Sequence, residues 1–359
     1  MRAVHLVARG FRNLADLELE LPPAGGAFLG PNGQGKTNLL EALYYPVLWR
    51  SFRGATDADL ARWDGPGFHV AVTVSDTGTT VTCEASYLRA ARRKRVRIDG
   101  SDAPRLVDAV GHWVAAVFVP GDVGLVQGAG AVRRQYLDRV LSLTDRTYLQ
   151  ALLRYRGALA QRNAAFRQGQ PALVKVFGEA MAPPGAEVMR RRLAWVEEWR
   201  ARFAAECSAL GESVPVALSY RGRPALADPE GWAPALAAVA DREQRQGVTL
   251  VGPQRDDLLL TLDGRSLRDV GSTGQQRTAA VALKLCELAS LGRRGESEPV
   301  LLLDDVFAEL DRDRQERLAA RLAESAAAQV FVTAPRQDEM PPGLALPVFR
   351  VEGGEVRHA

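Results

Sequence analysis

Gly30-Pro31-Asn32-Gly33-Gln34-Gly35-Lys36-Thr37 satisfies the pattern GxxxxGK[ST] at every position. Ala27-Phe28-Leu29 before it is a strand-like apolar run, and Asn38-Leu39-Leu40-Glu41-Ala42-Leu43 after it has helical spacing. Strand, glycine-rich turn and helix in that order predict a phosphate-binding loop. Glycines at 30, 33 and 35 let backbone N–H groups converge on an anion, and the helix that follows aims the positive end of its dipole at the same place. The expected ligand is ATP with Mg²⁺, held by Gly30, Pro31, Asn32, Gly33, Gln34, Gly35, Lys36, Thr37 and Asn38. Lys36 is expected at the β- and γ-phosphates and the Thr37 hydroxyl on the metal.

With 359 residues the chain is long enough for two lobes, since single cores stop growing near this size. Its 46 Lys and Arg against 43 Asp and Glu give a net charge of only +3, so the placement of charge says more about partners than its sum. Cys83, Cys207 and Cys286 lie far apart without metal-ligand spacing, which predicts reduced thiols. No apolar run is long enough to span a bilayer, and Met1-Arg2-Ala3-Val4-His5 reads directly as strand. A cytoplasmic protein with no membrane partner is expected.

Val4–Val7 reads as a strand, and Leu17, Leu19 and Leu21 alternate with Asp16, Glu18 and Glu20 as a half-buried strand does. Phe68–Val74, Thr79–Leu88 and Val96–Ile98, with turns at Asp76-Thr77-Gly78 and Asp99-Gly100, predict an antiparallel sheet against the nucleotide core. Arg89, Arg92, Arg93, Lys94, Arg95 and Arg97 form a dense basic run, readable either as a solvated hairpin or as a phosphate contact. Trp113–Val119 is a further apolar strand.

From Val132 the spacing turns helical. Between Val132 and Arg167 eight arginines accompany only two acids, Asp138 and Asp145, a local basic surface. Its arginines at Arg133, Arg134, Arg139, Arg146, Arg154 and Arg156 are the candidate DNA contacts. A second helix is expected from about Glu187 to Leu210, with Trp195, Trp199 and Phe203 as a core stripe and no sustained heptad seam. Pro215–Tyr220 reads as strand and 230–246 as helix. From Gly247 the character is α/β again, with Val248–Val251, Leu258–Leu262 and the continuous apolar runs Val300–Leu303 and Val330–Val332, a helix over Arg312–Ala328 lying between the last two.

Val300–Leu303 ends in Asp304-Asp305. A carboxylate at the carboxyl end of a buried strand is the Walker B element: Asp304 would share the metal with Thr37, and Asp305 would orient or deprotonate the attacking water. Gly271-Ser272-Thr273-Gly274-Gln275-Gln276 then opens a helix, a second anion site whose phosphate must come from elsewhere. This resembles the signature motif of ABC-type ATPases, in which the signature of one subunit closes on the γ-phosphate bound by the other. Ser272, Gly274 and Gln275 join the nucleotide site on that reading. Lys36, Asp304, Asp305 and Ser272 form the catalytic set.

Taken together, these motifs resemble the RecF family of recombinational-repair proteins, relatives of the SMC and Rad50 heads. Phe11-Arg12-Asn13, the P-loop with Asn38-Leu39-Leu40-Glu41-Ala42, Arg133-Arg134 through Asp138, Gln161-Arg162-Asn163, Gly252-Pro253 with Arg255-Asp256-Asp257, Ser272–Arg277 and Leu301–Asp311 carry the likeness. The resemblance implies an ATP-dependent homodimer on duplex DNA and at single/double-strand junctions. It further implies slow ATP hydrolysis and help in loading recombinase with RecR and RecO, in DNA replication, repair and the SOS response. By the same analogy Asp311 reaches across the dimer. Three positions depart from the pattern: Asp305 stands where Glu is usual in transporters, Gln254 where His is expected, and Thr333 where many ABC ATPases carry a switch His.

Three rival readings use parts of the same evidence. A transporter ATPase subunit keeps its Walker elements within one compact domain, whereas roughly 260 residues lie between them here. A small-molecule kinase has no use for Ser272-Thr273-Gly274-Gln275, and a scaffold that merely holds ATP would not hydrolyse it. The expected fold is an α/β ABC-type P-loop ATPase head, a mixed sheet with an antiparallel β subdomain, formed by residues 1–125 and 247–359. An inserted, mainly helical lobe, residues 126–246, would interrupt it without a long coiled coil.

Overall fold

Ala115–Phe118 and Val300–Asp304 carry buried side chains at every position, the pattern of strands covered on both faces of a parallel sheet. The computed structural model describes residues 1–293, 298–307, 310–324, 327, 329–340 and 344–359. They divide into two compact units, Met1–Asp122 with Glu287–Ala359, and Val123–Cys286.

The first unit begins with β1 (Arg2–Arg9), β2 (Leu17–Glu20), β3 (Gly25–Leu29), β4 (Gly67–Asp76), β5 (Thr79–Leu88), β6 (Arg93–Ile98), β7 (Ser101–Asp102) and β8 (Ala115–Phe118). The second unit supplies β9 (Val216–Arg221), β10 (Asp257–Leu262) and β11 (Arg265–Ser266). The chain then adds β12 (Val300–Asp304), β13 (Gln329–Ala334), β14 (Val348–Glu352) and β15 (Glu355–His358) to the first unit. One sheet there, in the order β2-β1-β4-β5-β6-β7, is antiparallel throughout. The other, β15-β14-β3-β13-β12-β8, is parallel except for its edge strand β15. This is the mixed α/β architecture of an ABC-type head with its antiparallel subdomain.

The Lys36–Leu48 helix touches β12, β13 and β8 of the parallel sheet and β4 and β5 of the antiparallel one. Leu39 to Val47 are accordingly buried without a break, because a helix between two sheets has no solvent face. Gln329 ties the sheets at their far end: its amide takes the Ala3 N–H and donates to the carbonyls of Ala3 and Pro22, each at 2.8 Å. A buried amide with its donors and acceptor engaged loses nothing on leaving water.

The second unit is helical around a small sheet, β11-β10-β9. Helices Gly130–Thr144, Arg146–Arg167 and Pro171–Ala209 dominate it. The last, 39 residues long, corrects the expectation of a helix that begins near Glu187. Pro171 occupies its first turn, where a missing N–H costs nothing, while Pro183 and Pro184 lie inside it. Those two free the carbonyls of Glu179 and Ala180, residues on the exposed face where water satisfies them. Gly185 follows because a Cβ there would lie 2.3 Å from the Trp232 ring. Proline in sequence reads as a stop; here the exposed face absorbs it.

The boundary between units also differs from the expected one. Residues 247–286 belong to the second unit, because β10 pairs along its whole length with β9. Val248–Val251 is not a strand: the Thr249 N–H is taken by Asn163 Oδ1 at 2.9 Å and the Leu250 N–H by Glu243 Oε1 at 2.7 Å. The Arg312–Ala323 helix ends earlier than the expected Ala328, and residues 325, 326 and 328 lie outside the described residues. Ala308 and Glu309 within Leu301–Asp311 do so too.

Candidate nucleotide site

Between β3 and the Lys36–Leu48 helix the loop takes a shape that only glycine allows at two places. Gly35, the residue before the helix, has φ +110°, and a Cβ on Gly30 would lie 2.1 Å from the Val351 carbonyl oxygen of β14. Lys36 opens the helix and is 4 % exposed. Its ammonium donates to the carbonyls of Gly30 at 2.7 Å and Pro31 at 3.2 Å, and to Asn32 Oδ1 at 3.4 Å. The charge is therefore held at the centre of the loop, at the positive end of the helix dipole.

Residues from distant parts of the chain brace this loop. Asn13 donates to the Gly33 carbonyl at 3.1 Å and accepts from Asn38 at 2.7 Å, and Arg53 donates to Asn38 Oδ1 at 3.0 Å. From the other side the Gly353-Gly354 turn of the β14–β15 hairpin donates two N–H bonds to Gln34, at 2.7 Å to Oε1 and 3.0 Å to the carbonyl. Buried Glu41 takes a two-pronged contact from Arg12 at 2.9 and 3.2 Å and a hydrogen bond from Ser51. Of these, only Phe11-Arg12-Asn13 stood out in sequence. A Gly-Gly pair between alternating residues signals a hairpin, but no local feature says that this hairpin abuts Gln34.

At the carboxyl end of β12, one carboxylate oxygen of Asp304 accepts from two hydroxyls, Thr37 and Thr333, each at 2.9 Å. Burial pushes the Asp304 carboxyl above the usual range, opposed by those two hydrogen bonds. Asp305 turns away from the strand with φ +48°, its N–H donating to the Thr333 hydroxyl at 3.0 Å and its Oδ1 lying 3.3 Å from that same hydroxyl. Thr333 thus links both carboxylates. A threonine hydroxyl and a carboxylate on one spot make the donor set of a Mg²⁺ that leaves its other positions to water and phosphate, so the residues fit the ion.

Ser272 caps the Thr273–Gly292 helix through a reciprocal pair: its hydroxyl accepts from the Gln275 N–H at 3.3 Å, and Gln275 Oε1 accepts from the Ser272 N–H at 2.9 Å. The Gln275 side chain also donates to Glu212 at 3.3 Å, so its amide is engaged within its own unit. Gln276 donates to the carbonyls of Leu267, Arg268 and Gly271 and accepts from Gln127 at 2.7 Å, which fixes the loop from beneath. Ser272 itself is exposed, and Gly274 is half-buried. Asp311 caps the Arg312–Ala323 helix by accepting from the Arg314 N–H at 3.0 Å.

The candidate DNA arginines separate into two groups. Arg133 is buried and grips both oxygens of Asp257 at 2.8 and 2.9 Å, so it is corrected from a phosphate contact to a structural ion pair. Arg134 donates to the Asp256 carbonyl at 2.7 Å, Arg139 lies 5.6 Å over the Tyr136 ring, and Arg156 pairs with Asp138 at 2.6 Å. Arg146 and Arg154 are exposed and have no ion-pair partner among the described residues. In the basic run, Lys94 is paired with Asp57, and Arg95 and Arg97 with Asp102. Asp257→Ala would leave Arg133 charged and buried, so we expect a loss of about 3 kcal/mol or more in denaturant unfolding. Arg133→Met in the same chain should restore much of it, and a single variant as stable as the parent would contradict the pairing.

The sequence matches the RecF/RecN/SMC N terminal domain family over residues 3–346. The DNA replication and repair protein RecF of Geotalea daltonii is 35% identical over 372 residues, spanning 100% of both chains. Among solved structures, the recombination mediator protein RecF with ATP, of the RecFOR pathway, has a TM-score of 0.90 at 27% identity over 99% of this chain and 97% of that one. The Smc head bound to the C-winged helix domain of ScpA has a TM-score of 0.58 at 15% identity, over 99% and 96%, and shares the fold.

Proposed function

The chain belongs to the RecF/RecN/SMC family, alongside the RecF DNA replication and repair proteins, and from that premise we propose that it is a slow, ATP-gated DNA-binding ATPase. The observation that carries this reading is the meeting of Thr37 and Asp304 beside the loop that holds Lys36. Bound there with ATP, Mg²⁺ would neutralise phosphate charge and polarise the bond to the leaving group. The N–H groups of the loop between Asn32 and Asn38 orient the triphosphate, Lys36 offsets its charge, and Thr37 and Asp304 would hold the metal.

Asp305 orients the attacking water. Its side chain is one methylene shorter than the Glu usual in transporters, and Thr333 offers a hydroxyl where a switch His would stand; both support slow turnover. ATP closes two copies into a homodimer, with Ser272, Gly274 and the helix N-terminus beyond them receiving the partner's γ-phosphate. The dimer holds DNA, duplex or at single/double-strand junctions, through exposed cations such as Arg146 and Arg154, and acts with RecR and RecO in loading recombinase during repair and the SOS response. Its work on DNA would be in the cytoplasm; among the described residues no helix is long and apolar enough to cross a membrane.

Sedimentation with ATP, ADP or no nucleotide, with and without duplex DNA, tests the reading. ATP alone should give the dimer, and Asp305→Asn should bind ATP as the parent does yet stay dimeric several times longer. An Asp305→Asn chain that fails to dimerise with ATP, or a parent that dimerises equally with ADP, would overturn it.

A further inference from the structure

The six tryptophans of the chain divide five to one: Trp49, Trp113, Trp195, Trp199 and Trp232 are at most 3% exposed, while Trp63 is 91% exposed. Burying an indole is among the largest apolar gains open to a fold, so an indole left in water on an ordered loop is not accounted for by packing. The loop is held from both sides. The Arg62 N–H donates to the Gly10 carbonyl at 2.7 Å, the Gly65 N–H to the Arg62 carbonyl at 2.9 Å, and the Arg89 N–H to the Pro66 carbonyl at 2.7 Å. The Arg89 guanidinium crosses under the loop and donates to the carbonyls of Ala61, Arg62 and Gly65 at 3.4, 3.1 and 3.2 Å. Trp63 is presented already ordered, so little loop freedom remains to be lost on binding.

Its surroundings are cationic. Gly67 of β4 pairs with Leu88 of β5, and Leu88 with Arg93 of β6, so the Trp63 loop, the half-exposed Leu88 and the Arg89–Arg93 turn share one end of the antiparallel sheet. Arg92 and Arg93 are exposed and have no ion-pair partner among the described residues, whereas Arg89 is engaged by the loop carbonyls. The acids near the loop are Asp64, on the loop itself; Asp57, paired with Lys94 at 3.0 Å; Asp59, which caps with Thr56 and feels the charges of Arg12 and Arg89; and Asp16, paired with Arg62 at 2.8 Å. One rigid aromatic face at the same end of the sheet as the unpaired guanidinium groups of Arg92 and Arg93 matches a nucleotide, whose base stacks while its phosphates meet the cations. One indole and one leucine are too little apolar surface for the core of a stable protein interface.

We propose that Trp63 stacks on an unpaired base of bound DNA, with Arg92 and Arg93 on the flanking phosphates and Arg89 holding the loop that presents the indole. This rests on the DNA-binding reading and assigns to Trp63 the contact that would tell a single/double-strand junction from closed duplex, because a continuous duplex offers no free base face to an indole.

The isolation of Trp63 makes the test selective. In the full-length protein with ATP, tryptophan emission quenched by acrylamide should come mainly from Trp63. A gapped duplex should dim that component and shield it, and a closed, fully paired duplex should leave it unchanged. Trp63→Ala should weaken binding of gapped DNA about ten-fold, the usual effect of one stacked base, while closed duplex binding changes less than two-fold; Trp63→Phe should recover most of the loss. Gapped DNA that binds by anisotropy but leaves the Trp63 signal and the Trp63→Ala affinity unchanged would overturn the proposal while leaving the DNA-binding reading intact. If no DNA of either kind binds, both fall together.

Discussion

Lys36→Met is expected to weaken ATP binding by about a thousand-fold, and to abolish ATP-dependent dimerisation with it. The Lys36 ammonium is buried among three oxygen acceptors of its own loop, at 2.7, 3.2 and 3.4 Å, and is the cation nearest the expected β- and γ-phosphates. Removing one partner of such a desolvated charge pair costs about 4 kcal/mol, which is three decades of affinity. Methionine fills a similar volume and its flexible thioether tolerates the site, so the fold should survive and a parent-like thermal transition without nucleotide serves as the control. The measurement is a titration with ATP in Mg²⁺ alongside sedimentation. Affinity retained within a few-fold would show that the loop N–H groups hold the nucleotide without the lysine.

How far the sequence reveals this site depends on the range over which each element is determined. The P-loop was legible because its glycines, strand and helix form one continuous stretch, and β12 because an unbroken apolar run has few other homes. Two arginines of residues 133–167, Arg133 and Arg162, are deceptive for the opposite reason. Arg133 finds Asp257 across 124 positions and Arg162 finds Glu243 across 81, so part of a local excess of charge is neutralised by residues that no window contains. The clasp of Gly353 on Gln34 spans 319 positions and is equally invisible. Pro183-Pro184 lie inside a helix that the sequence pattern shows only from about Glu187, because the rule against interior proline holds for buried helices and relaxes on a wet face. The three cysteines behave as simple core residues: all are buried, and burial pushes the Cys286 thiol up to about 12, far from the reactive range.

Ser272 separates nucleotide binding from dimer closure, and two substitutions are needed because the structure gives it a second task. Its hydroxyl caps the Gln275 N–H, so Ser272→Arg both blocks the surface and removes a cap worth about 1 kcal/mol. Ser272→Asp keeps a capping oxygen and favours the helix dipole, yet sets a negative charge where a partner's γ-phosphate would arrive. Helix stability therefore moves in opposite directions in the two variants. Dimerisation with ATP, hydrolysis and duplex binding should nevertheless be lost in both, while each monomer binds ATP within about two-fold of the parent, because the P-loop is untouched. A loss confined to Ser272→Arg would assign the effect to the lost cap or to the bulk of the arginine and not to the phosphate. Mixing Ser272→Arg with Lys36→Met extends the argument to symmetry. In the proposed dimer each composite site would pair one copy's P-loop with the other's signature, so a mixed dimer would hold one site with both lesions and one with neither. Hydrolysis should reappear on mixing two inactive proteins, at no more than half the parent rate per dimer. Two variants that remain inactive together, yet form a mixed dimer on sedimentation, would mean that both sites must fire for either to turn over.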